Sequence, residues 1–173
     1  MNKLFEKFVE QAFVRVGAKL GIEIRPQKRE PLSDIQFVPM IRPDIIVKCA
    51  GRTTAIVDAK YKRDADGPQN SDMYQVIAYG TALHCSHTYL FYPETELGVD
   101  RTIPIRNSTI EVNTRRIAIS GDACVKSAEE SARVVLKQAT ALGERYRLAD
   151  SVQLPISATR LEKTSGSPSP TKI

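Results

Sequence analysis

Long apolar runs are missing from this chain. Nothing in its 173 residues approaches the roughly 20 apolar residues of a membrane-crossing helix, so no membrane partner is expected. No secretory leader is expected either, since Met1-Asn2-Lys3-Leu4-Phe5-Glu6-Lys7 has an early Glu and no extended apolar core. Cysteine is scarce. Cys49, Cys85 and Cys124 are odd in number and far apart, which fits neither a disulfide framework nor a zinc site. Free thiols and a cytoplasmic location are the expectation. One cluster, His84-Cys85-Ser86-His87, lies between an expected helix and strand and has no second pair of ligands to match it. Aromatics make up 6% and are not interleaved with basic residues, which argues against a stacking platform for single-stranded bases. There is no internal repeat and no second domain.

Hydrophobic residues make up 42% and charged residues 26%, ordinary values for a soluble domain with a real core. The net charge of +5 is compatible with a polyanionic partner. Its basic residues are spread along the chain rather than gathered: Arg25, Lys28 and Arg29; Lys60, Lys62 and Arg63; Arg101 and Arg106; Arg115 and Arg116. A solvated face is the simplest reading of each group.

Apolar residues from Leu4 to Leu20 recur at helical spacing, which predicts a helix over 2–20 stopped by Gly21. Residues 22–40 read as a strand fragment and a loop, with Ile35–Val38 extended. Two apolar runs at about 43–61, joined at Gly51-Arg52, read as a hairpin. The polar stretch 62–70 is a loop, and Asn70 or Ser71 caps a helix to about Leu83. Strands are expected at 88–93, 101–106 and 109–120. A capping box at Ser127–Glu130 opens a last helix to about Leu148. This order predicts an α/β domain over 1–150, a mixed β-sheet flanked by helices. The Ser-, Thr- and Pro-rich stretch 151–173 reads as a disordered tail.

The hairpin carries a puzzle. Asp44 and Asp58 stand seven residues either side of Gly51, so antiparallel pairing sets them nearly opposite each other. Like charges across a strand pair are destabilising, and strands are depleted in Asp. A divalent cation would reverse the sign of that repulsion. Side chains at i and i+2 share a strand face, so Asp58 and Lys60 project together. The bland alternative is an edge-strand ion pair of little energetic weight.

These residues resemble the PD-(D/E)xK nuclease superfamily. Pro43-Asp44 supplies its first element, Asp58-Ala59-Lys60 its second, and Gln75-Val76-Ile77-Ala78-Tyr79 the QxxxY element of a subset. Within it, Leu4–Val9, Arg42–Asp44, Val57–Lys62, Asp72–Gln75 with Ala78-Tyr79, and Leu90–Pro93 follow one another as in McrC-type nuclease subunits of modified-cytosine restriction systems. The resemblance covers roughly residues 1–120. It implies a restriction-endonuclease-like core and a Mg²⁺-dependent DNA endonuclease serving phage defence, with Mn²⁺ as a substitute ion.

Asp44 and Asp58, with the backbone carbonyl of Ala59, are then the expected metal ligands. Lys60 positions the attacking water or stabilises charge, and two nearby carboxylates disfavour its use as a general base. Gln75 and Tyr79 orient water, Lys60 or phosphate; core packing is the alternative for Tyr79. Glu6 matches the family's helix-borne acid, with Glu10 the alternative on the same face. Lys62 and Arg63 are candidates for phosphate contact, which gives affinity without sequence information. McrC proteins usually carry an N-terminal region that engages the McrB nucleotide-driven motor. Here the chain opens on the first nuclease helix, which implies a short or truncated relative or a second chain supplying that part. The competing reading is a catalytically silent nucleic-acid-binding or assembly module that keeps the nuclease fold.

Overall fold

The first helix, α1, spans Asn2–Leu20. Phe5, Val9, Ala12, Phe13 and Val16 form its buried stripe, while Leu4 and Leu20 at its ends stay exposed. Gly21 ends it at φ 67°, and Ile22 N–H returns to Gly17 C=O at 3.0 Å. That six-to-one bond with a left-handed glycine is the Schellman stop. The computed structural model describes residues 2–35, 38–62, 67–95 and 98–152.

After α1 come β1 (Glu23–Pro26), a two-residue pair β2 (Glu30–Pro31) and β3 (Met40–Ile41), β4 (Ile45–Cys49) and β5 (Arg52–Ala59). Helix α2 (Asn70–Ala82) follows, then β6 (His87–Pro93), β7 (Thr102–Pro104), β8 (Glu111–Ile117) and α3 (Cys124–Val152). Six strands form one mixed sheet in the order β1-β4-β5-β6-β8-β7. Strands β5, β6 and β8 run parallel, and the other pairings are antiparallel. Parallel neighbours need a crossover, which α2 supplies between β5 and β6.

The sheet buries both faces, unequally. One face carries Ile45, Val47, Ala55, Val57, Ala59, Tyr89, Phe91 and Ile117, which join α1 and α3 in a single apolar core. On the other face α2 packs through two smaller groups, Ile41, Ile56, Tyr79 and Cys85, and Val76, Leu90, Tyr92 and Val112. Strand alternation therefore sends Ala59 toward the large core and Asp58 toward α2.

Several expectations are corrected. The hairpin turn is Ala50-Gly51, at φ 51° and 77°, rather than Gly51-Arg52. Left-handed φ at both positions matches the twist of the flanking strands. Such a turn alone would pair Asp44 with Val57. A register shift between Val47 and Lys48 restores the pairing Ile45 with Val57, and the next step along sets Asp44 opposite Asp58. Ile35 lies in a bend and Val38 in no strand, and the rest of that expected extension lies outside the described residues.

Helix α2 is capped at Gln69 with no side-chain bond, so neither Asn70 nor Ser71 is its cap. Helix α3 starts three residues before the capping box, at Cys124. Ser127 instead accepts Ala118 N–H through its hydroxyl at 3.1 Å. The helix continues to Val152, past the expected start of the tail, and 153–173 lie outside the described residues.

Candidate active site

Where β4 begins and β5 ends, the backbone ladder runs out and Asp44 takes its place. Its Oδ2 accepts Ala59 N–H at 2.8 Å, and its Oδ1 accepts Gln27 Nε2 at 2.8 Å. Gln27, at φ 51°, also donates its backbone N–H to Asp44 C=O at 2.8 Å. The carboxylate is thus held on two sides. Burial still raises its pKa, against the lowering effect of the Ala59 and Gln27 hydrogen bonds and of Lys60.

Asp58 is nearly inaccessible, at 2% exposure. Lys60 Nζ lies 2.5 Å from its Oδ2 and pairs with it. Burial, then the neighbouring Asp44 charge, pushes the Asp58 carboxyl up to about 6, with Lys60 pulling the other way. The Lys60 ammonium offsets only part of what burial and Asp44 cost this carboxylate.

The backbone N–H of Lys60 is fixed on Phe91 C=O at 2.8 Å. Its ammonium donates to Gln75 Oε1 at 2.7 Å. Gln75 Nε2 donates to the Tyr79 hydroxyl at 2.5 Å, and that hydroxyl donates to Arg42 C=O at 3.4 Å. Gln75 and Tyr79 are four apart on α2, one turn along the same face. Burial opposes charge on Lys60, but Asp58, Asp72 and Asp44 outweigh it and raise its pKa. A lysine held so firmly protonated stabilises negative charge and is a poor base. Tyr79 combines both readings, since its ring packs beside Ile41, Ile56 and Cys85.

Glu6 borders this group. Its pKa is raised by burial and then by Asp44, and lowered by Lys60, Lys3 and Arg42. The Phe5 ring meets Tyr61 at 5.8 Å, which ties the start of α1 to the segment just after Lys60. Glu10 is buried and engaged with Lys7 at 2.5 Å. Lys62 is occupied by Gln69 and Asp72, at 2.8 Å each. Arg63 lies outside the described residues. Cys85 is buried, donates to His87 C=O at 3.4 Å and has its thiol pushed up to about 12, so it offers no ready thiolate to a metal.

Much of the scattered basic charge is paired. Arg25 meets Glu23, Lys28 meets Glu30, Arg52 meets Asp150, and Arg115 and Arg116 meet Asp100. Two side chains in the site had no role in the sequence reading: Gln27, which holds Asp44, and Asp72, which holds Lys62 and accepts the Tyr92 hydroxyl at 3.0 Å. The Asp72–Gln75 spacing, one helical turn, was the available signal for the second; for Gln27 there was none.

The donor set suits a hard divalent cation. Two carboxylates face one another where β4 begins and β5 ends, and Lys60 offsets only part of the cost of their burial and mutual repulsion. Among the described residues no three His, Cys, Asp or Glu side chains gather around one point. Two carboxylates are enough for Mg²⁺, which retains waters and substrate oxygens.

No curated protein matches the chain. A solved structure does. It is described as a refined half-complex from the tetradecameric assembly of Thermococcus gammatolerans McrB AAA+ hexamers with bound McrC. The TM-score is 0.60 at 20% identity, over 79% of this chain and 33% of that chain. The shared property is the fold, and the present chain spans about a third of that relative's length. The family model of the McrBC 5-methylcytosine restriction system component matches residues 1–93, more than half of the chain. This chain belongs to the McrBC 5-methylcytosine restriction system component family.

Proposed function

We propose that the chain is a Mg²⁺-dependent endonuclease of the PD-(D/E)xK type that hydrolyses DNA phosphodiester bonds in a modified-cytosine restriction system. The observation that carries this reading is the meeting of Asp44, Asp58 and Lys60 where β4 begins and β5 ends, with the Asp58 pKa raised by burial and by Asp44 despite its pairing with Lys60. A binding module has no use for two buried carboxylates beside phosphate.

The side chains of Asp44 and Asp58 and the carbonyl of Ala59 would hold the ion. When bound, Mg²⁺ supplies charge neutralisation and a more acidic water. Lys60 contributes a fixed positive charge where negative charge develops on the phosphate. Gln75 orients Lys60, and Tyr79 orients Gln75. Glu6 would accept a hydrogen bond from water at the open side of the site. Gln27 keeps Asp44 turned toward Asp58's strand.

An McrB-like motor is the proposed partner, because the solved relative is described in complex with McrB hexamers. Such a motor would deliver DNA to the site. Among the described residues no helix is long and apolar enough to cross a membrane. Three free cysteines fit the reducing cytoplasm in which restriction would act.

The test is plasmid cleavage by the full chain, with and without a McrB-like partner, against Asp44→Ala, Asp58→Ala and Lys60→Ala. Each variant is expected to lose at least about 10²-fold in rate while still folding. Cleavage that survives Asp58→Ala would sink the assignment.

A further inference from the structure

The first turn of α2 holds a buried carboxylate that the proposed chemistry leaves unused. Asp72 is 4% exposed. Its Oδ1 accepts Lys62 Nζ at 2.8 Å, with Oδ2 2.7 Å from the same ammonium, and Oδ2 accepts the Tyr92 hydroxyl at 3.0 Å. Three stretches of chain meet there: the segment leaving β5, the end of β6 and the start of α2. A carboxylate at this depth is costly unless its partners compensate, and here they come from both neighbouring strands.

The geometry links this cluster to the reacting side. Asp72 and Gln75 are three apart on α2 and share a face. Lys60 and Lys62 are two apart, on a tight turn closed by Lys62 N–H to Lys60 C=O at 2.9 Å. The same turn is thus tied to the same helix face twice, by Lys62 to Asp72 and by Lys60 to Gln75. Tyr92 adds an anchor from β6, next to the Phe91 carbonyl that fixes the Lys60 backbone. With Asp72 cut, the first turn of α2 would lose its polar ties to the segment after β5 and to β6, and Gln75, one turn on, would shift. A displacement of about 1 Å in such a site costs on the order of 10²-fold in rate.

We propose that Asp72 is a positioning residue: through Lys62 and Tyr92 it fixes where α2 presents Gln75, and so where Lys60 is held against Asp58. The proposal rests on the nuclease reading of the site and deepens it. It also moves Lys62 from phosphate contact to positioning.

The test uses the full chain, supercoiled plasmid and Mg²⁺, with and without a McrB-like partner, and compares Asp72→Asn, Lys62→Met and the double variant. Each single change is expected to lower kcat by about 10- to 100-fold. KM and the salt dependence of DNA binding stay as in the parent, and the double variant is no slower than the slower single. Tyr92→Phe removes the hydroxyl that donates to Asp72 and keeps the Lys62–Asp72 charge pair, so it gives a milder loss should Asp72→Asn fail to fold. A raised KM and a salt slope lowered by about one in Lys62→Met, at unchanged kcat, would make Lys62 a phosphate contact and overturn the proposal.

The second readout needs no cleavage. The side-chain amide cross-peaks of Gln75 in ¹⁵N spectra are expected to shift or broaden in folded Asp72→Asn or Tyr92→Phe. If the parent chain cleaves nothing, alone or with a McrB-like partner, while these peaks move, the nuclease reading fails and the positioning stands. If the parent cleaves while peaks and kcat stay put, the positioning fails and the nuclease reading stands.

Discussion

The two faces of the sheet are built for different ends. Against α1 and α3 the core is continuous, and the buried side chains that β5 sends there are apolar: Ala55, Val57 and Ala59. Against α2 the apolar contacts fall into two separate groups, and Asp58, Lys60, Gln75, Asp72 and the Tyr92 hydroxyl form a polar chain on that side. One face supplies stability; the other gives some of it up to hold charges close together. Changes on the first face should therefore unfold the chain, and changes on the second should spare the fold and abolish chemistry.

The largest effect expected on the α2 face is that of Asp58→Asn. It should remove Mg²⁺-dependent cleavage, by about 10³-fold or more, and also stabilise the fold at neutral pH. The sign follows from linkage. Asp58 sits at about 6 when folded against an ordinary 3.8, so the folded state takes up a proton that the unfolded state releases. Its contribution is fully present below about pH 4 and is lost as pH rises through about 6, a difference on the order of 3 kcal/mol. Thermal melts of the parent and Asp58→Asn at pH 8 and pH 5 would check this. The variant should melt higher at pH 8, and its advantage should shrink at pH 5.

On the opposite face, Phe13→Ala should cost roughly 3–5 kcal/mol of stability in a denaturant titration. Phe13 is fully buried and meets Phe91 edge-on at 5.6 Å. Any remaining folded fraction should cleave at the parental rate. If Phe13→Ala left stability alone, or slowed the folded enzyme as much as Asp58→Asn, the two faces would not divide the work.

Smaller is the effect of Tyr79→Phe, which removes only the hydroxyl between Gln75 and Arg42 C=O. About a 3- to 10-fold fall in kcat is expected, with stability changed by roughly 1 kcal/mol. Smallest is Ala50→Gly in the hairpin turn. Ala50 holds φ 51°, a conformation that costs a non-glycine residue about 1 kcal/mol, so glycine should raise the melting temperature slightly and leave cleavage unchanged.

Much of this division could be read from the residue order, and the parts that could not share a cause. Helix α1 and the hairpin follow from local periodicity, and Asp44 opposite Asp58 follows from strand pairing. Yet the pairing depends on two features that offset each other, the Ala50-Gly51 turn and the register shift at Val47 and Lys48. Symmetry about Gly51 reached the correct pairing through the wrong turn. Lys62 looked like a free cation because its partner is ten positions away on the far side of a loop. Gln27 lies 17 positions from Asp44, in a left-handed conformation that no propensity of glutamine suggests. The capping box at Ser127 failed because Ser127 is used by Ala118, outside the helix altogether. Local signals named the charged residues, and long-range hydrogen bonds decide what each of them holds.

Under the proposed function, the α2 face holds a divalent ion between Asp44 and Asp58. Mn²⁺ binding to the DNA-free chain, followed by electron paramagnetic resonance, tests it most directly. A single saturable site is predicted in the parent, abolished by Asp58→Asn and weakened by Asp44→Asn, with Mg²⁺ competing for it. Equal Mn²⁺ binding by the parent and Asp58→Asn, or no saturable site in the parent, would contradict the account.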